Sequence, residues 1–337
     1  MTPIVGHEPA AAALLGAAAS GSLHHAWLLA GAEGIGKASF AGAVALRLLA
    51  EAASPDGLPP GLGVAHDHPA RALMLAGSHP DFRLLRRLPK DTDKPDEDLA
   101  RSITIAQVRS LGAMFATAPA LGSRRVVVVD AIDDLERGGA NALLKNLEEP
   151  PAGTVFLLVS HAPGRLLPTI RSRCRLLRFE PLAADEVAQV IRRAQPDLHD
   201  DEVTTLSTAS GGSPGRGLRY AGLDVAALDA ALAAIAQDGD PGNARRSQLA
   251  RTLGAKAAHP RYELFLERTT GFLAAEARRR SGAALAVALD AHAAARDLAG
   301  AALGLSLDAA ATVFEMAGIV AGLHTGLHRD QPSPARR

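Results

Sequence analysis

Cysteine occurs once in the 337 residues, at Cys174. One thiol cannot build an intrachain disulfide framework or a Cys-rich zinc site, and it fits a reducing, cytoplasmic setting. Aromatic residues make up only 3% of the chain. Neither sign of charge is in excess, with Lys+Arg and Asp+Glu at 36 each. That balance argues against a free-standing nucleic-acid binder gripping phosphates through a broad basic face, while leaving room for a local DNA contact inside an assembly. No apolar run reaches the ~20 residues needed to cross a bilayer, so no membrane association is expected. The opening MTPIVGHEPAAAALLGAAAS has no basic segment before its Ala-rich stretch, and reads as a soluble helix opened by Pro9 rather than a leader.

What the chain does have is apolar mass. Hydrophobic residues are 47% of the total, too many for a disordered chain. The length allows two or three domains with real cores. Abundant Ala and Leu favour helices, because both lose little entropy on joining one.

Three zones separate by pattern. Residues 1–180 alternate strands and helices. Apolar or β-branched runs at 26–30, 82–85, 126–129, 155–159 and 176–179 predict strands, and 38–52, 105–115 and 140–147 predict helices. The run Val126-Val127-Val128-Val129 has the composition of a strand buried on both faces. Pro- and Gly-containing stretches at 54–68, and the charged 91–98, read as loops. Alternation of this kind implies a parallel sheet flanked by helices. Residues 181–222 form a small helical zone, with helices at 185–194 and 202–208 and a Gly-rich turn at 211–215. Residues 223–330 read as several packed helices with breaks near 238–242, 259–260 and 304–307. The tail 331–337 is expected to fray.

Gly31-Ala32-Glu33-Gly34-Ile35-Gly36-Lys37-Ala38 follows a strand and precedes a helix. It fits the phosphate-loop pattern G-x-x-x-x-G-K-[ST] at every position but the last. In such a loop Gly31, Gly34 and Gly36 let backbone N–H groups face the phosphates, the helix N-terminus favours an anion, and Lys37 reaches the β/γ-phosphates. Ala38 stands where Ser or Thr would hold Mg²⁺. Ser39 follows, but one helical residue is about 100° of rotation, so Ser39 is expected to point elsewhere. The strand 126–129 runs into Asp130, placed as a Walker B carboxylate.

Four further blocks carry a family resemblance. Asn141 to Pro151 reads NALLKNLEEPP, and Leu167 to Cys174 reads LPTIRSRC. His25-Ala26-Trp27-Leu28-Leu29 precedes the phosphate loop, and His79-Pro80-Asp81 lies between. In order and spacing over about residues 5–220 these resemble the AAA+ clamp-loader family of DNA polymerase III. The resemblance implies an α/β AAA+ P-loop domain (1–180), a helical lid domain (181–222) and an all-α collar domain (223–330). It implies a five-membered ring of tau/gamma and delta subunits that loads the sliding clamp on primer-template DNA.

The resemblance also assigns roles. Ser172, Arg173 and Cys174 match the SRC motif, whose arginine reaches nucleotide in a neighbouring subunit. An arginine suits that task because it is always charged and can stabilise charge on a transferring phosphoryl group. The bland reading is that Arg171, Arg173 and Arg175 form a solvated basic face. Ser160 falls at the sensor 1 position. Gly215 occupies the sensor 2 arginine position, with Arg216 displaced by one. Active members carry a Glu after the Walker B aspartate; here Ala131 stands there, with Asp133 and Asp134 two and three residues on. Losses at 38, 131 and 215, with Arg173 kept, match the delta-prime branch, which donates an arginine without hydrolysing ATP itself. ATP or ADP held at the loop is then expected to persist. The family's four-cysteine zinc module is missing, and His66, His68 and His79 lack metal-site spacing, so no zinc is expected. An ATP-hydrolysing tau/gamma-type motor and another AAA+ DNA-processing protein are the alternatives. Arg278-Arg279-Arg280 reads as a solvated helical face.

Overall fold

The computed structural model describes residues 3–54, 56–91 and 99–329. Most of the loop expected at 91–98 and the whole 331–337 tail lie outside the described residues. Two compact units emerge, Met1–Arg219 and Tyr220–Arg337.

The first unit is built on five parallel strands: β1 (Ala26–Ala30), β2 (Phe82–Arg86), β3 (Arg125–Asp130), β4 (Thr154–Ser160) and β5 (Arg175–Arg178). Their order is β2-β3-β4-β1-β5. Ala30 pairs with Ser160, and Asp130 with Val159, so the loop after β1 opens at the edge where β3 and β4 also end. Ligands bind at this carboxyl edge in open α/β sheets.

The three inner strands, β1, β3 and β4, are apolar and buried on both faces, and the pleat divides their residues. Trp27, Leu29, Val126, Val128, Leu157 and Val159 join one core with α1 (Glu8–Ala19) and α2 (Lys37–Ala53). Ala26, Leu28, Val127, Val129, Phe156 and Leu158 join another, with α4 (Ile105–Phe115), α5 (Arg137–Glu148) and α6 (Pro168–Arg171). Between α2 and β2 lies α3 (Pro69–Leu75), which sequence patterning does not reveal; His68 caps it by accepting the N–H of Ala70. After β5 come α7 (Ala184–Ala194), α8 (Asp200–Ala209) and α9 (Pro214–Tyr220). The turn expected at 211–215 is shorter than predicted, because Pro214 opens α9; a fixed φ suits the first helical position.

The second unit is helical: α10 (Val225–Asp238), α11 (Ala244–Leu253), α12 (His259–Arg279), α13 (Gly282–Leu305) and α14 (Ala309–Arg329). The expected break near 259–260 separates α11 from α12, and His259-Pro260 opens α12, again with Pro in the first turn. A break at Arg280-Ser281, flagged only by Ser281-Gly282, was not predicted. Arg280 is not part of a solvated face. Its side chain is 8% exposed, pairs with Glu276 at 3.0 Å and donates to the Leu323 carbonyl at 3.2 Å. Arg268 holds Asp229 by two bonds of 2.8 and 2.6 Å, tying α12 to α10. Among the described residues no helix is long and apolar enough to cross a membrane.

Asp240 organises the start of α11. Its buried carboxylate accepts the N–H groups of Arg245 at 3.2 Å and Arg246 at 3.0 Å, and Arg246 Nε lies 3.4 Å away. Burial alone would raise its pKa, but the two N–H bonds and the Arg246 charge outweigh that and hold it below the ordinary carboxylate value. A depressed folded pKa means stability that is complete above the unfolded pKa and is lost as pH falls through the folded one. Asp240→Ala is expected to cost about 1–3 kcal/mol at neutral pH. The check is amide-exchange protection of α11 at pH 7 and pH 3. Protection lost on acidification in the wild type should already be missing from the variant at pH 7.

Candidate functional site

The phosphate loop hangs between β1 and α2. Gly31 donates to the Ser160 carbonyl at 3.3 Å and passes so close to Phe179 that a Cβ would lie 2.7 Å from its carbonyl oxygen. Gly36 caps α2 in a left-handed conformation. Gly34, also left-handed, packs backbone to backbone on Gly215 at the start of α9. The Gly215 N–H donates to the Gly34 carbonyl at 2.8 Å, and a Cβ on either residue would fall 2.9 Å from atoms of the facing segment. Exposed Glu33 and Arg219 pair at 3.0 Å beside this contact.

Lys37 is 2% exposed. Its ammonium donates to the carbonyls of Gly31 at 2.7 Å and Ala32 at 2.6 Å, within its own loop. Burial pulls its pKa down to about 8 against the opposing pull of Asp130, Asp133 and Glu33.

A cavity of about 520 Å³ opens here, bordered by Gly34, Gly36, Lys37 and Asp130 at its polar end and by Ile4, Val5, Leu182 and Leu218 elsewhere. Ala38 and Ser39 both border it. Both residues are exposed. Asp130 sits at the end of β3, where burial raises its pKa and His161 and Lys37 partly offset the rise.

The neighbouring carboxylates are committed elsewhere. Ala131 is 3% exposed and packs in the core with Ile35 and Phe40. Asp133 accepts three bonds: from Ser160 Oγ at 3.0 Å and from the N–H groups of His161 at 2.7 Å and Ala162 at 3.2 Å. Asp134 pairs with Arg87 at 3.1 Å. Ser160, placed by its motif at the sensor position, is fully buried; its hydroxyl faces Asp133, and it does not border the cavity.

The SRC residues lie outside the cavity, between α6 and β5. Arg173 forms an ion pair with Glu148 at 2.8 Å and donates to the carbonyl of Thr169 at 2.9 Å and to Ser172 Oγ at 3.4 Å. Ser172 Oγ donates to Thr169 O at 3.1 Å. Cys174 packs against the α4/α5 core, and burial pushes its thiol up to about 12, so it stays protonated and poorly nucleophilic at neutral pH. The other blocks serve the frame. His25 Nε2 bonds the Leu147 carbonyl at 3.1 Å. Buried Asp81 accepts the N–H groups of Ala120 and Leu121, each at 2.8 Å.

Sequence reasoning missed His161, which borders the cavity beside Asp130, and the 4–7 segment, where His7 bonds the Ile35 carbonyl at 3.0 Å. A titratable residue just past a strand's carboxyl end was the available signal for the first. For the second, only the apolar pair before Gly6 stands out.

A family model described as DNA polymerase III, delta subunit, matches residues 6–183. The delta-prime subunit of DNA polymerase III from Pseudomonas aeruginosa is 38% identical over 190 residues, 56% of this chain and 53% of that protein. The tau subunit from Salmonella typhimurium is 33% identical over 217 residues, covering 62% of this chain and 30% of the relative. The chain thus spans about half the length of the first relative and less of the second. A solved DNA polymerase III gamma subunit-related protein from Thermotoga maritima aligns over 88% of this chain and 95% of its own, at 18% identity and a TM-score of 0.43.

Proposed function

Because this chain belongs to the DNA polymerase III delta-subunit family, we propose that it is a delta-prime-like subunit of the clamp loader that does not hydrolyse ATP itself. In this reading it joins tau/gamma and delta subunits in a five-membered ring in the cytoplasm. It acts on the sliding clamp and primer-template DNA through that ring. The lid zone 181–222 follows the AAA+ domain, the helices after residue 222 serve as the collar, and Arg173 stabilises charge on nucleotide held by the neighbouring motor.

One observation carries the non-hydrolysing part. Among the described residues, the carboxylates near Lys37 other than Asp130 are engaged elsewhere: position 131 is apolar, Asp133 is spent on three donors, Asp134 on Arg87 and Glu33 on Arg219. Phosphoryl transfer needs positioned metal and an oriented nucleophile. A magnesium ion would find no hydroxyl at Ala38. The cavity otherwise suits a nucleotide, with apolar walls and Lys37 at the polar end. ATP or ADP there stays intact, and neither nucleotide nor zinc is required for the scaffold role. The motor reading has one feature in its favour, Ser39 at the cavity.

Purified chain is expected to show no ATP turnover above background, and to co-purify with tau/gamma and delta subunits as a complex. Turnover that Lys37→Ala abolishes would establish the motor instead. Failure to enter the complex would remove the clamp-loader assignment.

A further inference from the structure

We infer that Glu148 is the positioning residue for Arg173, setting the guanidinium before any neighbour arrives. This rests on the trans-arginine reading above. The two motifs that sequence reasoning met separately, LEEPP and SRC, meet in space through these two side chains.

Three observations support the assignment. First, α5 ends on Glu148 and Glu149, so two carboxylates crowd the carbonyl end of a helix, where the dipole already gathers negative charge. Lys145 is the cation within that last turn, and Arg173, brought from another element, is the second. Second, Arg173 is held from two sides. Glu148 takes one terminal nitrogen at 2.8 Å, and Thr169 O and Ser172 Oγ take the other at 2.9 and 3.4 Å. A planar group fixed at both ends has its plane defined, and a guanidinium carries five N–H donors, so donors remain for a phosphate. Third, the anchors are rigid. Leu147 is buried and its carbonyl is tied to His25, and Ile170 is buried one turn before Arg173.

The pair is partly exposed, at 34% for Arg173 and 48% for Glu148. Such pairs add little to stability. Their effect falls instead on where a long, flexible side chain spends its time. An ordered arginine meets the transition state without first losing rotamer freedom. The side chain of Glu149 makes no bond among the described residues, which makes it a matched control.

The test uses the reconstituted complex with DNA-stimulated ATP turnover as the readout. Arg173→Ala defines the share of turnover that Arg173 supplies. Glu148→Gln, which keeps the shape and removes the charge, is expected to cut that share about tenfold in kcat, within the ~10²-fold that misplacement by 1 Å can cause. KM for ATP should hold, the Glu148→Gln/Arg173→Ala pair should lose no more than Arg173→Ala alone, and Glu149→Gln should behave as wild type. Glu148→Asp should recover part of the loss. Equal loss in Glu149→Gln, a further drop in the double variant, or a faster Glu148→Gln complex would overturn the inference while leaving the role of Arg173 standing. An Arg173→Ala complex with unchanged turnover would remove both.

Discussion

In a reconstituted ring, Arg173→Ala is expected to leave assembly intact and to abolish the share of DNA-stimulated ATP hydrolysis contributed by the adjoining motor. The expected loss at that one site is about 10³-fold or more, the scale on which a trans-acting arginine works in phosphoryl transfer. Assembly should survive because the side chain does not hold the fold. It is 34% exposed, and its ion pair and carbonyl bonds sit at the protein's surface. Gel filtration of the complex checks assembly, and steady-state hydrolysis with and without primed DNA checks the rate. Arg173→Lys separates charge from shape: a lysine keeps the charge but not the planar fork, and should recover little. Hydrolysis equal to wild type in Arg173→Ala would rule out the trans role.

The second large effect concerns stability. Trp27, the only tryptophan in the chain, is 1% exposed in β1. Its indole N–H donates to the His24 carbonyl at 3.0 Å, and Arg175 from β5 lies over its ring with Cζ at 5.1 Å from the centroid. Trp27→Ala removes the largest fully buried side chain in a sheet position flanked on both sides. The cost should be roughly 3–5 kcal/mol, enough to erase much of a typical domain's stability. Urea unfolding followed by far-UV circular dichroism measures it. A midpoint within error of wild type would show that the core repacks around the gap.

Much of this was legible in the residues. The three inner strands announce themselves as short apolar runs, because a parallel strand buried on both faces needs no polar alternation, while the edge strands β2 and β5 carry exposed arginines and show only short Leu pairs. The helix 105–115 is marked by Thr104 and Gln107, which form a capping box. The phosphate loop and Asp130 were found by pattern and do share a cavity. What the residues withheld was direction. Ser160 has the right place in sequence, yet its hydroxyl turns to Asp133, which the N–H groups of His161 and Ala162 hold in place, and no local motif announces that partner. The bond between Glu148 and Arg173 spans two elements, and nothing in either motif alone predicts it. Arg280 shows the same limit: three consecutive arginines look alike until Glu276 and Leu323 single one out.

The contact between Gly34 and Gly215 bears on whether this site can be repaired. A threonine at the exposed position 38 would be a change of side chain alone, whereas a glutamate at 131 would drive a carboxylate into the core where Ala131 packs. Position 215 is different. An arginine there needs a Cβ, and that atom would sit 2.9 Å from the Gly34 Cα, where real Cβ atoms are essentially never found. The helix would have to back away first, surrendering its bond to the loop. In the proposed reading the absent arginine is therefore also an occupied space, and a side chain at 215 would first have to move the start of α9 off the loop.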